Sequence, residues 1–143
     1  MSIIDRFAAA FNRQDVDALV DCFTENGSYD DIFFGPHAGR AKLREMFERM
    51  FHEGKGYRWE FSNVVEDARR AAGEWRFSYT VSDAIPRSAG KPVRFNGMSV
   101  FDLAGGKIAA YREYADTGVA FVQLGLAPEA LAKVFRRRVP PEA

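Results

Sequence analysis

The hydrophobic pattern changes its period once, near Gly54-Lys55-Gly56, and this change constrains the fold more than any other feature. Before it, apolar residues recur every three or four positions, as in amphipathic helices. Three helices are predicted there, marked by Ile3, Ile4, Phe7, Ala8 and Phe11, by Val16, Leu19, Val20 and Phe23 with Asp15 as a cap, and by Leu43, Met46, Phe47, Met50 and Phe51. After it, side chains alternate as in half-buried strands. Helices followed by a sheet indicate an α+β fold.

The second half of the chain predicts an antiparallel meander that curls around the helices. Its apolar rows are Trp59 and Phe61, then Trp75, Phe77, Tyr79 and Val81, then Val93, Phe95, Gly97 and Ser99. Turns are expected at residues 67–72, 85–90 and 104–107. No linker or repeat divides the chain, so residues 1–143 are predicted to form one domain, with residues 136–143 as a flexible tail.

Residues 96–116 form a predicted β-hairpin that carries the most informative polar residue. Strand side chains alternate between faces, so Glu113 shares an apolar face with Tyr111. A buried carboxylate without a partner is unfavourable, and Glu113 is therefore expected either to be paired or to have a chemical role. The candidates for a structural ion pair are Arg40, Arg76 and Arg94.

Composition excludes several classes of function. Twenty basic residues balance 20 acidic ones, so charge gives no reason to expect nucleic acid or an anionic membrane as the partner. The cluster Arg136-Arg137-Arg138 is interpreted as the solvated end of a helix and is assigned no ligand. Residues 1–14 lack the pattern of a signal peptide, and no segment approaches membrane-spanning length. A cytoplasmic location is expected.

Metal and cofactor chemistry are not indicated either. His37, His52 and Cys22 show no paired spacing, so no metal site is predicted. The lone cysteine cannot form an intrachain disulfide and is expected to be a small buried side chain. Gly105-Gly106-Lys107 joins two strands, which predicts a tight turn and not a phosphate loop. No organic cofactor is expected.

Three local patterns together resemble the SnoaL-like group of the nuclear transport factor 2-like superfamily, which includes polyketide cyclases, ketosteroid isomerases and limonene epoxide hydrolases. The patterns are Phe11-Asn12-Arg13-Gln14-Asp15-Val16-Asp17-Ala18-Leu19, then Tyr29-Asp30-Asp31 with Gly35-Pro36-His37-Ala38-Gly39-Arg40, then Gly106-Lys107-Ile108 with Arg112-Glu113-Tyr114-Ala115-Asp116. The resemblance spans nearly the whole chain. It implies a cone-shaped, strongly curved antiparallel sheet around the N-terminal helices, an internal pocket, and a homodimer. It does not fix the reaction, because this fold hosts many.

The resemblance also assigns roles to single residues. Glu113 takes the position of an aspartate that acts as general acid or base in the cyclases and epoxide hydrolases. Asp31 takes the position of the isomerase base, which is an asparagine in the epoxide hydrolases. Tyr29 matches the hydroxyl partner of that asparagine. These three residues, Glu113, Asp31 and Tyr29, are the predicted catalytic set.

Other family positions are missing, which makes the two best-known reactions doubtful. The arginine and aspartate that complete the epoxide hydrolase site correspond to Trp75 and Phe77. The oxyanion-binding tyrosine and protonated aspartate of the isomerases correspond to Phe7 and Gly97. No charge-stabilising donor of the isomerase type is therefore expected.

What remains is a pair of carboxylates in an aromatic cavity, where burial and the neighbouring charge would favour a protonated member. Its walls are predicted to be Trp59, Trp75, Phe77, Tyr79 and Phe95, with His37 at the rim and Gly97 leaving space. Each aromatic residue has an alternative interpretation as core, and His37 one as surface. Asp31 has an alternative role in satisfying backbone donors of a loop, and Asp116 is expected to cap a helix over residues 117–124.

Two functions are consistent with these residues. The first is a cofactor-independent acid/base enzyme, of the isomerase, cyclase or hydratase/hydrolase type, acting on a small hydrophobic carbonyl or polyketide-like substrate. The second is a non-catalytic domain of the same fold that only binds a small hydrophobic molecule.

Overall fold

The structure, a computed structural model, describes residues 1–143 and has the α+β architecture that the change of period predicts. Its elements in chain order are α1 (Ile3–Asn12), α2 (Val16–Asp21), β1 (Phe23–Asp31), β2 (Gly35–Ala38), α3 (Arg40–Glu53), β3 (Gly54–Glu66), β4 (Arg70–Val81), β5 (Pro92–Ala104), β6 (Lys107–Ala115), α4 (Thr117–Gln123) and α5 (Pro128–Arg136). The three predicted N-terminal helices and the three predicted turns are all found near their expected places.

One open six-stranded sheet forms the body of the molecule, in the order β2-β1-β6-β5-β4-β3. Strands β3 to β6 form the predicted antiparallel meander. Strand β1 runs parallel to β6, so the sheet is mixed and not wholly antiparallel. The sequence analysis missed β1 because its segment, FTENGSYDD, is largely polar and shows little apolar alternation.

Local capping explains where the first helices begin. Ser2 and Asp5 form a reciprocal capping box at α1, and the Asp15 carboxylate accepts from the Ala18 amide at 3.0 Å, as predicted for the second helix. That helix ends at Asp21, so Phe23 starts β1 instead of extending α2. Cys22 lies between them and is buried, as expected.

The core lies between the helices and one face of the sheet, and it is rich in aromatic residues. Phe7 and Phe11 of α1 are fully buried, and the Phe11 ring lies 4.8 Å from that of Trp59 on β3. The Asn12 side chain fixes the Trp59 backbone from both sides, accepting from its amide at 2.7 Å and donating to its carbonyl at 3.0 Å. Helix α1 therefore holds Trp59 rigidly.

The C-terminal helices pack less tightly. Gln123 joins α4 to β5 by accepting from the Arg94 amide at 2.9 Å and donating to the Arg94 carbonyl at 2.7 Å. Helix α5 has no buried residue, and Phe135 contacts Phe121 with ring centroids 6.0 Å apart. Asp116 is the N-cap residue of α4, as predicted, although its side chain makes no capping hydrogen bond.

None of the helices combines the length and the apolar character needed to cross a membrane.

Candidate functional site

A cavity of about 310 Å³ lies between the sheet and the helices, and 15 of its 20 lining residues are hydrophobic. The three predicted catalytic residues and the five predicted aromatic wall residues all line it: Tyr29, Asp31, Glu113, Trp59, Trp75, Phe77, Tyr79 and Phe95. The volume is within the range of small-molecule pockets. Further lining residues come from loops and helices that the alternating pattern does not cover, namely Phe33, Phe34, Met50, Ile85 and Leu124, and β3 adds Tyr57.

His37 does not line the cavity, so its predicted place at the rim is wrong. It lies on the edge strand β2, opposite Tyr29, and its Nδ1 atom contacts the Gly35 carbonyl at 3.1 Å. Its half-buried side chain lies on the same face of the sheet as Tyr29, but β2 is the edge strand, and His37 stays outside the cavity wall.

The two carboxylates belong to a repeated motif, tyrosine-x-carboxylate, on adjacent parallel strands. Tyr29 of β1 pairs in register with Tyr111 of β6, and each carboxylate lies two residues further on. The tyrosine rings stack with centroids 4.4 Å apart and planes 7° apart. Because side chains two residues apart share a face, Asp31 and Glu113 point to the same side of neighbouring strands.

Both oxygens of Asp31 accept hydrogen bonds. The Tyr29 hydroxyl donates to Oδ2 at 3.0 Å, and the Phe34 amide donates to Oδ1 at 2.7 Å. Asp31 therefore satisfies a backbone donor of the loop, as the alternative interpretation predicted, and it also lines the cavity. These donors hold Asp31 in one orientation and stabilise its ionised form.

Glu113 is held by only one protein donor, at the end of a hydrogen-bond chain. Trp75 Nε1 donates to Ser99 Oγ at 2.8 Å, Ser99 Oγ lies 2.8 Å from the Tyr111 hydroxyl, and this hydroxyl donates to Glu113 Oε1 at 2.6 Å. An indole N–H can only donate, so the chain is directed from Trp75 towards Glu113. No protein donor contacts Glu113 Oε2, which leaves that oxygen for a ligand.

Glu113 forms no salt bridge, so the predicted alternative of a structural ion pair with Arg40, Arg76 or Arg94 is wrong. Burial, reinforced by the negative charge of Asp31, raises the pKa of Glu113 to about 8. Burial also raises the pKa of Asp31, but the Phe34 amide and the Tyr29 hydroxyl oppose this shift. Asp31 thus accepts two hydrogen bonds that favour its ionised form, whereas Glu113 accepts one.

Gly97 does not leave the expected space, because the indole of Trp75 already occupies it. A Cβ atom added at Gly97 would lie 2.6 Å from Trp75 Cζ2 and 2.8 Å from the Cβ of Ala115. Trp75 thus packs flat against the glycine, in the position from which its N–H reaches Ser99. The glycine shapes the hydrogen-bond chain and not the cavity.

Arg138 is a neighbour of the site that the sequence analysis treated as solvated charge. Its guanidinium donates to both oxygens of Asp30, at 3.1 and 2.9 Å, and to the backbone carbonyl of Asp31. Its positive charge partly opposes the rise in the Glu113 pKa. No pattern in the sequence connects residue 138 with residue 30. The flexibility predicted for residues 136–143 stays a prediction.

Tyr111 and Ser99 were also missed as site residues. Both are buried, and an apolar row containing them is equally consistent with plain core. One signal was present: Tyr29-Asp30-Asp31 and Tyr111-Arg112-Glu113 repeat a tyrosine followed two positions later by a carboxylate. The cavity wall contains no group of three or more His, Cys, Asp or Glu side chains arranged to hold a metal ion.

Comparison with known families identifies the class of protein. The model of the SnoaL-like domain matches residues 4–111, which is most of the chain. The chain therefore belongs to the SnoaL-like family, as its local patterns suggested.

Solved structures with the same fold extend this result. A protein with a ketosteroid isomerase-like fold from Catenulispora acidiphila, solved with trimethylamine, aligns with a TM-score of 0.76 and 18% identity over 89% of this chain and 95% of its own. An LEH-like epoxide hydrolase from M. tuberculosis aligns with a TM-score of 0.70 and 18% identity over 94% of this chain and 93% of its own. At these identities the likeness shows the fold alone.

A candidate polyketide cyclase from Silicibacter sp. TM1040 aligns with a TM-score of 0.70 and 25% identity over 85% of this chain and 91% of its own. No curated protein matches the chain in sequence. These comparisons thus establish the family and the fold, but they do not establish the reaction.

Proposed function

We propose that this protein is a cofactor-independent acid/base enzyme of the isomerase or cyclase type, acting on a small hydrophobic carbonyl or polyketide-like compound. One observation carries the proposal: two carboxylates with unequal hydrogen bonding line the same, mostly apolar cavity. Unequal environments separate the pKa values of neighbouring carboxyl groups and so separate acid from base.

In the proposed reaction, Glu113 supplies the proton and Asp31 accepts one. Near neutral pH, the raised pKa of about 8 keeps Glu113 largely protonated, so its free oxygen can donate to a carbonyl oxygen of the substrate. Asp31, ionised and held by Tyr29 and the Phe34 amide, removes a proton from the carbon next to that carbonyl. The product is an enol, which either reprotonates at another carbon or attacks a second carbonyl within the same molecule.

The apolar walls support a flat, hydrophobic substrate. Phe77, Phe95 and Trp75 contact one another with ring centroids 5.4 to 6.2 Å apart, so a large part of the wall is aromatic edge and face. Apolar surroundings strengthen the polar interactions that Asp31 and Glu113 can make with a ligand.

Exchange of carbon-bound hydrogen in deuterium oxide tests the proposal without knowledge of the natural substrate. The probe is 2-acetylnaphthalene, whose methyl hydrogens exchange when the ketone enolises, as followed by proton NMR. Glu113→Gln should keep binding but lose about 10²- to 10⁴-fold in the exchange rate. The matched control is Glu60→Gln, at an exposed β3 position where the carboxylate pairs with Arg58.

Equal exchange in wild type and Glu113→Gln would contradict the proposal. Binding without any exchange would favour the second function, a domain that only binds a hydrophobic ligand. One observation favours this alternative: Trp75 and Phe77 stand where the resemblance places charged groups of the epoxide hydrolases, and the Trp75 N–H is already engaged by Ser99.

We also propose that two copies associate through the outer face of the sheet. Exposed polar residues cover it, and Met98 pairs in register with Tyr114, both of them exposed hydrophobic residues. Such a mixed surface suits a wet homodimer interface. Light scattering should give twice the chain mass, and the mass of a single chain would contradict a dimer.

A further inference from the structure

Arg138 ties the C-terminal segment to the strand that carries Asp31. It follows α5, which ends at Arg136, and its guanidinium donates to both carboxylate oxygens of Asp30, at 3.1 and 2.9 Å. The same group donates to the backbone carbonyl of Asp31. A planar guanidinium has several donors in a fixed geometry, so one side chain can hold these three acceptors together.

Asp31 lies where the strand pairing on one side has ended. The paired residues of β1 and β6 end at Asp30 and Arg112, so Asp31 is one position beyond them. On its other side, it pairs only with Gly35 of the short edge strand β2. Backbone at the end of a strand opens more easily than backbone within a ladder. Arg138 therefore supports the β1 backbone where support from β6 stops.

The position of this backbone matters for the proposed chemistry. The Asp31 carboxylate lines the cavity, and its Oδ1 atom accepts from the Phe34 amide, in the turn that follows β1, at 2.7 Å. A displacement of about 1 Å in a catalytic group can lower a rate by about 10²-fold. A contact that restrains the end of β1 therefore affects the reaction without touching the substrate.

The charge of Arg138 also acts on the second carboxyl group of the site. Asp31 and Asp30 of β1 raise the pKa of Glu113, whereas the Tyr111 hydroxyl of β6 and the guanidinium of Arg138 lower it. Among these four groups, Arg138 is the only cation. Its removal should therefore make Glu113 a weaker acid.

We infer that Arg138 is a positioning residue, which fixes the end of β1 through Asp30 and the Asp31 carbonyl and so holds the Asp31 carboxylate at the cavity. This inference rests on the proposed function and adds a residue of the C-terminal segment to it. The side chains of Arg138 and Asp30 are 37% and 41% exposed, so their ion pair should add little to global stability. The role is local.

NMR of Arg138→Gln tests the inference without any substrate. The Phe34 amide should exchange with deuterium oxide about three- to tenfold faster than in wild type, because its acceptor Asp31 is less restrained. The pKa of Glu113 should rise, as followed by carboxyl titration. The matched control is Arg137→Gln, which removes the same charge from an exposed neighbour that forms no salt bridge, and it should change neither value.

Two further variants separate the charge from the hydrogen bonds. Arg138→Lys keeps the positive charge but lacks the planar fork, so it should speed Phe34 exchange and leave the Glu113 pKa near that of wild type. Asp30→Asn weakens the ion pair and removes a negative charge that raises the Glu113 pKa, so this pKa should fall. Arg138→Gln and Asp30→Asn should thus shift Glu113 in opposite directions.

Ketone exchange measures the consequence for the reaction. With saturating 2-acetylnaphthalene, Arg138→Gln should exchange about three- to tenfold more slowly than wild type. The ketone concentration that gives half of the maximal rate should be little changed, since Arg138 does not line the cavity. The pH above which activity falls should be higher, in parallel with the pKa of Glu113.

Unchanged Phe34 exchange and an unchanged Glu113 pKa in Arg138→Gln would overturn the inference, and so would equal effects of Arg137→Gln. A lower urea midpoint with no change at Glu113 would show that Arg138 only attaches α5, which also overturns it. If wild type catalyses no ketone exchange, the proposed function fails. The two NMR measurements still decide whether Arg138 positions Asp31.

Discussion

Asp31 and Glu113 are built by the same local motif on neighbouring strands, yet their environments differ. Asp31 accepts from a backbone amide and from a tyrosine, so both of its oxygens are held. Glu113 accepts only from Tyr111, and its second oxygen is free of protein donors. Each hydrogen bond to a carboxylate favours the charged form. The protein thus gives two similar acids different environments through the number of hydrogen-bond donors at each.

Among the variants, Asp31→Asn should cause the largest loss of activity. The amide keeps the shape of the side chain but cannot accept a proton from carbon, so ketone exchange should fall about 10²- to 10⁴-fold. Removing the negative charge should also lower the Glu113 pKa, because Asp31 contributes to its rise. In exchange rates measured from pH 5 to pH 9, the pH above which the remaining activity falls should therefore be lower than in wild type. An unchanged exchange rate would exclude Asp31 as the base.

Gly97→Ala tests the packing beneath Glu113. The new methyl group would overlap Trp75 and Ala115, which should displace the indole and break its bond to Ser99, at a cost of about 1–3 kcal/mol in the free energy of unfolding. Gly118→Ala is a matched control on α4, where the nearest atom to an added Cβ is 4.0 Å away. Urea unfolding should show a loss for Gly97→Ala alone, and equal stabilities would contradict the packing described.

The two tyrosines offer a symmetrical pair of variants. Tyr111→Phe removes the only protein donor to Glu113, so the pKa of Glu113 should rise further, whereas Tyr29→Phe leaves Asp31 with its Phe34 amide. Each lost hydroxyl should destabilise the fold by about 1–3 kcal/mol, because it belongs to a buried network. Carboxyl titration by NMR would refute the unequal roles if both variants moved both carboxylates equally.

Stability against pH tests the ionisation of Glu113 without any substrate. The folded state keeps a proton on Glu113 between its ordinary pKa of 4.5 and the raised value of about 8, and the unfolded state releases it there. The free energy of unfolding should therefore fall as pH rises through this interval. Glu113→Gln should flatten the decline and be more stable than wild type at pH 8. A parallel decline in both proteins would show that Glu113 is not the cause.

Much of the fold could be predicted because the periodicity is strong. Ile3, Phe7 and Phe11 mark a helix by their spacing, and Trp75, Phe77 and Tyr79 mark a strand. Strand β1 was missed because its alternation is hidden by polar residues, and its parallel pairing with β6 joins segments about 80 residues apart. Such long-range pairings leave no local signal.

The carboxylates of the candidate site could be predicted from the sequence, but the hydrogen bonds around them could not. Glu113 stands out as a carboxylate in an apolar strand, and the family resemblance adds Asp31 and Tyr29. The hydrogen-bond chain through Ser99 and the contact of Arg138 depend on side-chain orientation across different elements. Sequence spacing does not encode those orientations, nor does it show that His37 lies on the edge strand of the sheet.

The ionisation of Glu113 is the most direct test of the account. Protein labelled with carbon-13 at the glutamate side-chain carboxyl carbon, titrated by NMR from pH 3 to pH 10, reports each glutamate separately, and Glu113→Gln assigns the signal. The account predicts that one glutamate, Glu113, titrates near pH 8. A Glu113 signal that titrates near its ordinary value of 4.5 would mean that the group is ionised at neutral pH, and the proposed acid would be excluded.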